Sequence, residues 1–286
     1  MSRPLTRSRP DAAAGGRADR SGLQRPFIFV TGKGGTGKST VARALATGVP
    51  NRRLRSTEAL EPDDALAEWL ARHIGGPATA LLRRSQTFGH LAAAAPGVAE
   101  LVTIGKLADE AERWRVVVDG PSTGHALAML AAPQTFARLA PAGPVAREAE
   151  RLAARLQAPE FAAYVGVALA EPMSVAEVLE LDERLPEAIG RGLDLVVVNA
   201  VRPDRFNDDD AQRLQAAADR GPGRRLLEAV LVEHRRARRE RERVREIREH
   251  VRAPVLTLPF VFPPADRATR EKRVARLLAE ASQSPR

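Results

Sequence analysis

No cysteine occurs anywhere in the 286 residues. Disulfides, thiolate metal centres and thiol nucleophiles are thereby excluded, and the composition suits a reducing, cytoplasmic setting. Aromatic residues are scarce, at 4%, and no pattern of aromatics interleaved with basic residues accompanies the positive charge, so nucleic acid is not among the expected partners. Long hydrophobic runs are missing as well. Every apolar stretch is short or broken by charge, and none approaches the roughly 18 residues of a membrane-spanning helix. What remains is ordinary in proportion, with 44% apolar and 28% charged residues, and supports a large α/β domain with a sizeable core.

The formal charge of +9 is unevenly placed. Part of it lies in SRPLTRSRPDAAAGGRADRSG, which no apolar segment follows, so residues 1–25 read as a disordered basic leader rather than a signal peptide. Residues 26–280 read as one domain and 281–286 as a tail. Another part lies in EHRRARRERERVREIREHVR, residues 233–252, where Val244, Ile247 and Val251 form one thin apolar stripe and Arg238 with Glu242, or Arg245 with Glu249, can meet on the outer surface. The pattern fits a solvated helix packed on a sheet; a binding surface for an acidic partner is the other reading.

Five apolar runs read as buried parallel strands: PFIFV at 26–30, WRVVVDG at 114–120, YVGVALA at 164–170, LDLVVVNAV at 193–201 and PVLTLPF at 254–260. Helical patterns separate them, which predicts a mostly parallel sheet covered by helices on both faces. Two helical blocks, about 58–112 and 126–160, read as a helical subdomain inserted near the site that the next motif marks.

Between the first strand and the helix TVARALATG stands GKGGTGKS, Gly32 to Ser39, which satisfies G-x-x-x-x-G-K-[ST] in the strand-to-helix context that this phosphate-binding motif requires. The spacing points to a P-loop NTPase. Gly34, Gly35 and Gly37 can turn backbone amides inward, and the helix beginning near Lys38 adds its positive end. Lys38 is expected on the β and γ phosphates of ATP, and Ser39 on Mg2+. Asp119, at the end of WRVVVDG, is the second candidate for magnesium.

Lys33 is a second lysine in a loop that needs only one. With it, VTGKGGTGKST, Val30 to Thr40 and including Thr36, resembles the deviant phosphate loop of the ArsA-type ATPases. Three further stretches resemble the same branch. VVVDGPSTGHALAML is similar to its switch II, with Asp119, Thr123, Gly124 and His125 in place but Pro121 and Ser122 departing from the usual proline-threonine step. EPMSVAEVLEL is similar to the segment after its third strand, and APGVAELVTIGK to the bacterial members. The resemblance implies that Asn199 hydrogen-bonds adenine and that the loop around Pro259 packs on it. It also implies a dimer, formed with itself or an ArsA-like paralogue, in which Lys33 reaches the partner's ATP while a helical groove receives a client. Arsenite transport is not implied, since the cysteines it uses are absent.

One part of that pattern is hard to find. Relatives carry a second strand ending in an acidic switch I, whereas this chain offers TGVPNRRLRSTEALEPDD. NRRLRS reads as too charged and short for a buried strand. Either EPDD supplies a displaced carboxylate, Asp63 or Asp64, or strand and switch I are missing; the second alignment continues without a break into APGVAELVTIGK and is the expectation. A chain lacking it could be a nucleotide-binding partner of an intact paralogue with little hydrolysis of its own.

Overall fold

The computed structural model describes residues 23–47, 51–57, 97–139, 144–218, 223–261 and 266–283. Its centre is strand β1, Phe27–Thr31, every residue of which is buried. Alternation sends Phe27 and Phe29 into one core and Ile28 and Val30 into the other. That is why FIFV reads as an unbroken apolar run: both of its faces are covered.

Around it lie β2 (Arg52–Ser56), β3 (Arg115–Asp119), β4 (Ala162–Leu169), β5 (Leu195–Val201) and β6 (Val255–Pro259), in the order β2-β3-β1-β4-β5-β6. All pairings are parallel. The helices are α1 (Lys38–Ala46), α2 (Val98–Glu110), α3 (Thr123–Leu139), α4 (Pro144–Gln157), α5 (Pro172–Ile189), α6 (Asp208–Ala218), α7 (Arg224–His250) and α8 (Arg267–Gln283). On one face α1 and α8 bury Val41, Leu45, Val274 and Leu278 against the sheet. The opposite face is covered by α2, α3, α4, α5 and the second half of α7, through Leu101, Leu130, Leu152, Leu181 and Ile247 among others. Each such side chain contributes roughly 1.5–3 kcal/mol on burial. This is the helix-sheet-helix architecture expected from the sequence. Helices α2 to α4, expected as helical subdomain segments of the single domain, pack into the sheet's core on the face opposite α1; residues 58–96 of that expectation lie outside the described residues. Leu23, counted with the leader, packs on the α1 side.

The strand expected to be missing is present. β2 is RRLRS within NRRLRS, paired in parallel with β3 and registered so that Ser56 stands beside Asp119. Its charges are tolerated because it is an edge strand, half-buried along its length. Arg53 and Arg55 share one face and both reach Glu110 of α2, at 3.3 Å and 2.7 Å, and Arg53 also stacks 3.7 Å from the ring centre of Trp114. On the other face Arg52 donates to the carbonyls of Leu45 and Leu23, at 2.7 Å and 2.6 Å. Burial, and secondarily the charge of Arg115, lowers the Arg52 pKa to about 10. Residues 58–96 follow β2, and Asp63 and Asp64 fall among them, outside the described residues.

Candidate functional site

Parallel strands deliver their carboxyl ends to one edge of a sheet, and a crevice opens there where neighbouring crossovers run in opposite directions. β1 is at that point: the chain leaves it toward β2 on one side and later passes it to reach β4 on the other. The loop Gly32–Gly37 sits over this edge and runs into α1.

Gly32, Gly35 and Gly37 of this loop have positive φ, and at two of them a close approach adds to that demand. Gly32 has φ 144°, and a Cβ there would lie 2.1 Å from the Val167 carbonyl oxygen of β4. Gly37, the N-cap of α1, has φ 94°, and its Cβ would lie 2.3 Å from the Asn199 amide nitrogen. Gly32→Ala should destabilise the fold by about 3 kcal/mol, combining a left-handed residue with a backbone overlap that cannot relax. A thermal melt should show the loss, and nucleotide binding should go with it.

The two lysines diverge. The Lys33 carbonyl accepts from the Thr36 hydroxyl at 2.8 Å and from the Lys38 ammonium at 3.2 Å, so Lys38 folds across its own loop. The Lys33 side chain turns the other way and forms an ion pair with Glu177 of α5. Glu177 lies in EPMSVAEVLEL, a stretch marked in the sequence by resemblance alone and without a role for this residue. It stands 144 residues from Lys33 in a helix that reads as cover for the sheet; only an unpaired extra lysine hints that an acid must face it. The pair lines a cavity of about 500 Å³ with Gly34, Ser122, Thr123 and Gly124.

β3 supplies the opposite wall. Asp119 is registered with Val30, and the next residue, Gly120, donates its backbone N–H to the Val30 carbonyl at 2.9 Å. A Cβ on Gly120 would meet that same oxygen at 2.7 Å. The Thr31 hydroxyl donates to the Pro121 carbonyl at 2.8 Å, tying the phosphate loop's root to the start of the Asp119 loop. Thr123 opens α3 with its hydroxyl buried and unpartnered among the described residues. His125 lies beside it, 3.8 Å from Glu100.

Asn199 lies at the carboxyl end of β5, where Ala200 adopts φ 57° and the pairing with β6 slips by a bulge. Bulges of this kind re-aim neighbouring side chains. Its amide donates to the Thr36 carbonyl at 2.9 Å, so here Asn199 braces the phosphate loop. Pro259 is registered with Val201, and Phe260 donates its N–H to the Val201 carbonyl at 2.8 Å, which brings the ends of β5 and β6 together.

The site residues thus fall into one neighbourhood: the loop with Gly34, Gly35 and Thr36, Lys38, Ser39 and Thr40 at the start of α1, Asp119 at the next strand end, and Asn199 against the loop. Among the described residues no three His, Asp or Glu side chains gather into a metal cage. A hydroxyl and one carboxylate suit magnesium, which takes few protein ligands and completes its shell from phosphate oxygens and water. Ser39 and Asp119 fit that requirement.

No family model matches the chain. It is similar to ATPase BagA of Mycobacterium tuberculosis, with 26% identity over 229 residues covering 64% of this chain and 67% of the relative. The same figures hold for Mb3704 of Mycobacterium bovis, to which ATPase activity is ascribed. The likeness is distant, and what it carries is general: these relatives are ATPases by name. Among the described residues no helix is long and apolar enough to cross a membrane.

Proposed function

We propose that the protein is an ArsA-like, magnesium-dependent ATPase whose nucleotide state opens and closes a dimer. The observation that carries this reading is the divergence of the two loop lysines, Lys38 over its own loop and Lys33 outward toward α5. A lysine serving only the phosphates of its own site has no reason to be doubled. Lys38 and the amides of the glycine loop bind the phosphates, and the positive end of α1 supports them. Asn199 positions the loop, and the β5 and β6 ends around Pro259 receive the base. Magnesium, held by Ser39 and Asp119, would neutralise charge on the transferring phosphoryl group. Lys33 leaves Glu177 and crosses to a second subunit's nucleotide, stabilising charge there as an arginine finger does.

A strand in the β2 position supports this reading over that of a non-hydrolysing partner, because Ser56 at its end stands beside Asp119. The test is steady-state hydrolysis by the purified chain, without any paralogue, in magnesium and ATP. Lys38→Ala should abolish it. Neither turnover nor nucleotide binding in the unaltered chain would end this reading. The client and the cytoplasmic setting belong to the same proposal.

A further inference from the structure

Beyond the phosphate loop, a second cavity of about 680 Å³ opens at the same edge of the sheet, over the ends of β4 and β5. Its volume is within the roughly 300–1,000 Å³ of small-molecule sites. One wall is the N-terminus of α5 with Glu171; the other is α7, which contributes Arg236, Arg239 and Arg243. These three recur at i, i+3 and i+7, so they stand on one face of the helix. Arg202, from the end of β5, forms the floor.

The ion pairs within the lining are unequal. Arg202 is fixed by Glu240, which pairs with its guanidinium and also accepts from its backbone N–H at 2.7 Å. Glu242 is drawn away by Arg238, at 3.5 Å, Arg236 leans on Glu233, and Arg243 on Glu246. Arg239 and Glu171 form no ion pair among the described residues, although they carry opposite charge and line one cavity. A ligand that uses both must offer an anion to α7 and hydrogen-bond donors to α5, since a carboxylate only accepts. Guanidinium groups in a row match the several oxygens of a phosphate better than a lone carboxylate does.

We propose that this cavity binds a small phosphorylated molecule bearing hydroxyl groups, its phosphate on Arg239 between Arg236 and Arg243 and a hydroxyl on Glu171. The site is separate from the phosphate loop but shares α5 with it. Glu171 and Glu177 are six residues apart, about 9 Å along a helix, so a ligand fixed at Glu171 acts on the helix that holds Lys33.

The experiment is calorimetric titration of the full chain carrying Lys38→Ala, with inorganic phosphate and glycerol 3-phosphate as probes. Both should bind saturably, and Arg239→Glu should weaken both by about tenfold or more, the cost of one charge-assisted hydrogen bond. Arg239→Ala should behave alike and serves if the charge reversal fails to fold. Glu171→Ala should lower the affinity for glycerol 3-phosphate relative to phosphate. Absence of saturable binding, or binding indifferent to Arg239, would overturn the site. An unchanged ratio in Glu171→Ala would overturn the hydroxyl contact. Lys38→Ala weakens the phosphate loop's own hold on the probes, and dependence on Arg239 and Glu171, which lie outside that loop, assigns the binding to this cavity whether or not the phosphate loop binds ATP.

Discussion

Replacing Lys33 by alanine should lower ATP turnover by about 10³-fold or more, the scale of a charge-stabilising finger supplied across an interface. Binding of nucleotide to the same chain should persist, because Lys38, Ser39 and the loop amides are untouched. The decisive version mixes two inactive chains. In a mixed dimer the Lys33→Ala subunit still holds ATP on its own Lys38, and a Lys38→Ala subunit still offers Lys33. Mixing should therefore restore part of the turnover that neither variant has alone. A lysine acting only on its own site predicts no recovery. Glu177→Gln should separate holding from catalysis: with its ion pair weakened, Lys33 is freed, and nucleotide-dependent dimerisation should shift by a few-fold rather than disappear.

Asp119→Asn should lower turnover by about 10–100-fold, the usual consequence of losing a carboxylate that orients a metal through its hydration shell. The reason lies in the register: β3 pairs with β1 so that Asp119 is level with Val30, one residue before the root of the phosphate loop. Asparagine keeps the shape of the strand end and removes the charge. Titration with magnesium at fixed ATP should show a higher requirement for the ion, with the melting temperature little changed. A variant equally active at low magnesium would remove Asp119 from the metal's surroundings.

Legibility in the sequence followed the range of the forces involved. The central strands announce themselves because both faces are buried, so FIFV of β1 and Val196–Val198 of β5 are apolar without interruption. The phosphate loop is legible for a different reason. Its glycines are demanded by backbone angles and by approaches such as Gly32 to Val167, and such demands leave a fixed local spacing. β2 was misread because its stability is not local: Arg53 and Arg55 are matched by Glu110, more than fifty residues on, and by an edge position that no window of sequence displays. The role of Glu177, though it lies in the quoted stretch EPMSVAEVLEL, is hidden for the same reason, since its partner Lys33 comes from another element. The sequence also offered Asn199 as a base contact but gave no sign that a bulge at Ala200 accompanies an amide directed to Thr36. Long-range pairing of polar groups is what the chain's local pattern conceals.

Light scattering coupled to gel filtration, comparing the chain in magnesium with ADP and with a slowly hydrolysed ATP analogue, tests the central claim most directly. A nucleotide-driven dimer predicts one chain per particle in ADP, two in the analogue, and reversal of that change in Lys38→Ala. The same mass in both nucleotides, whatever that mass is, would contradict it.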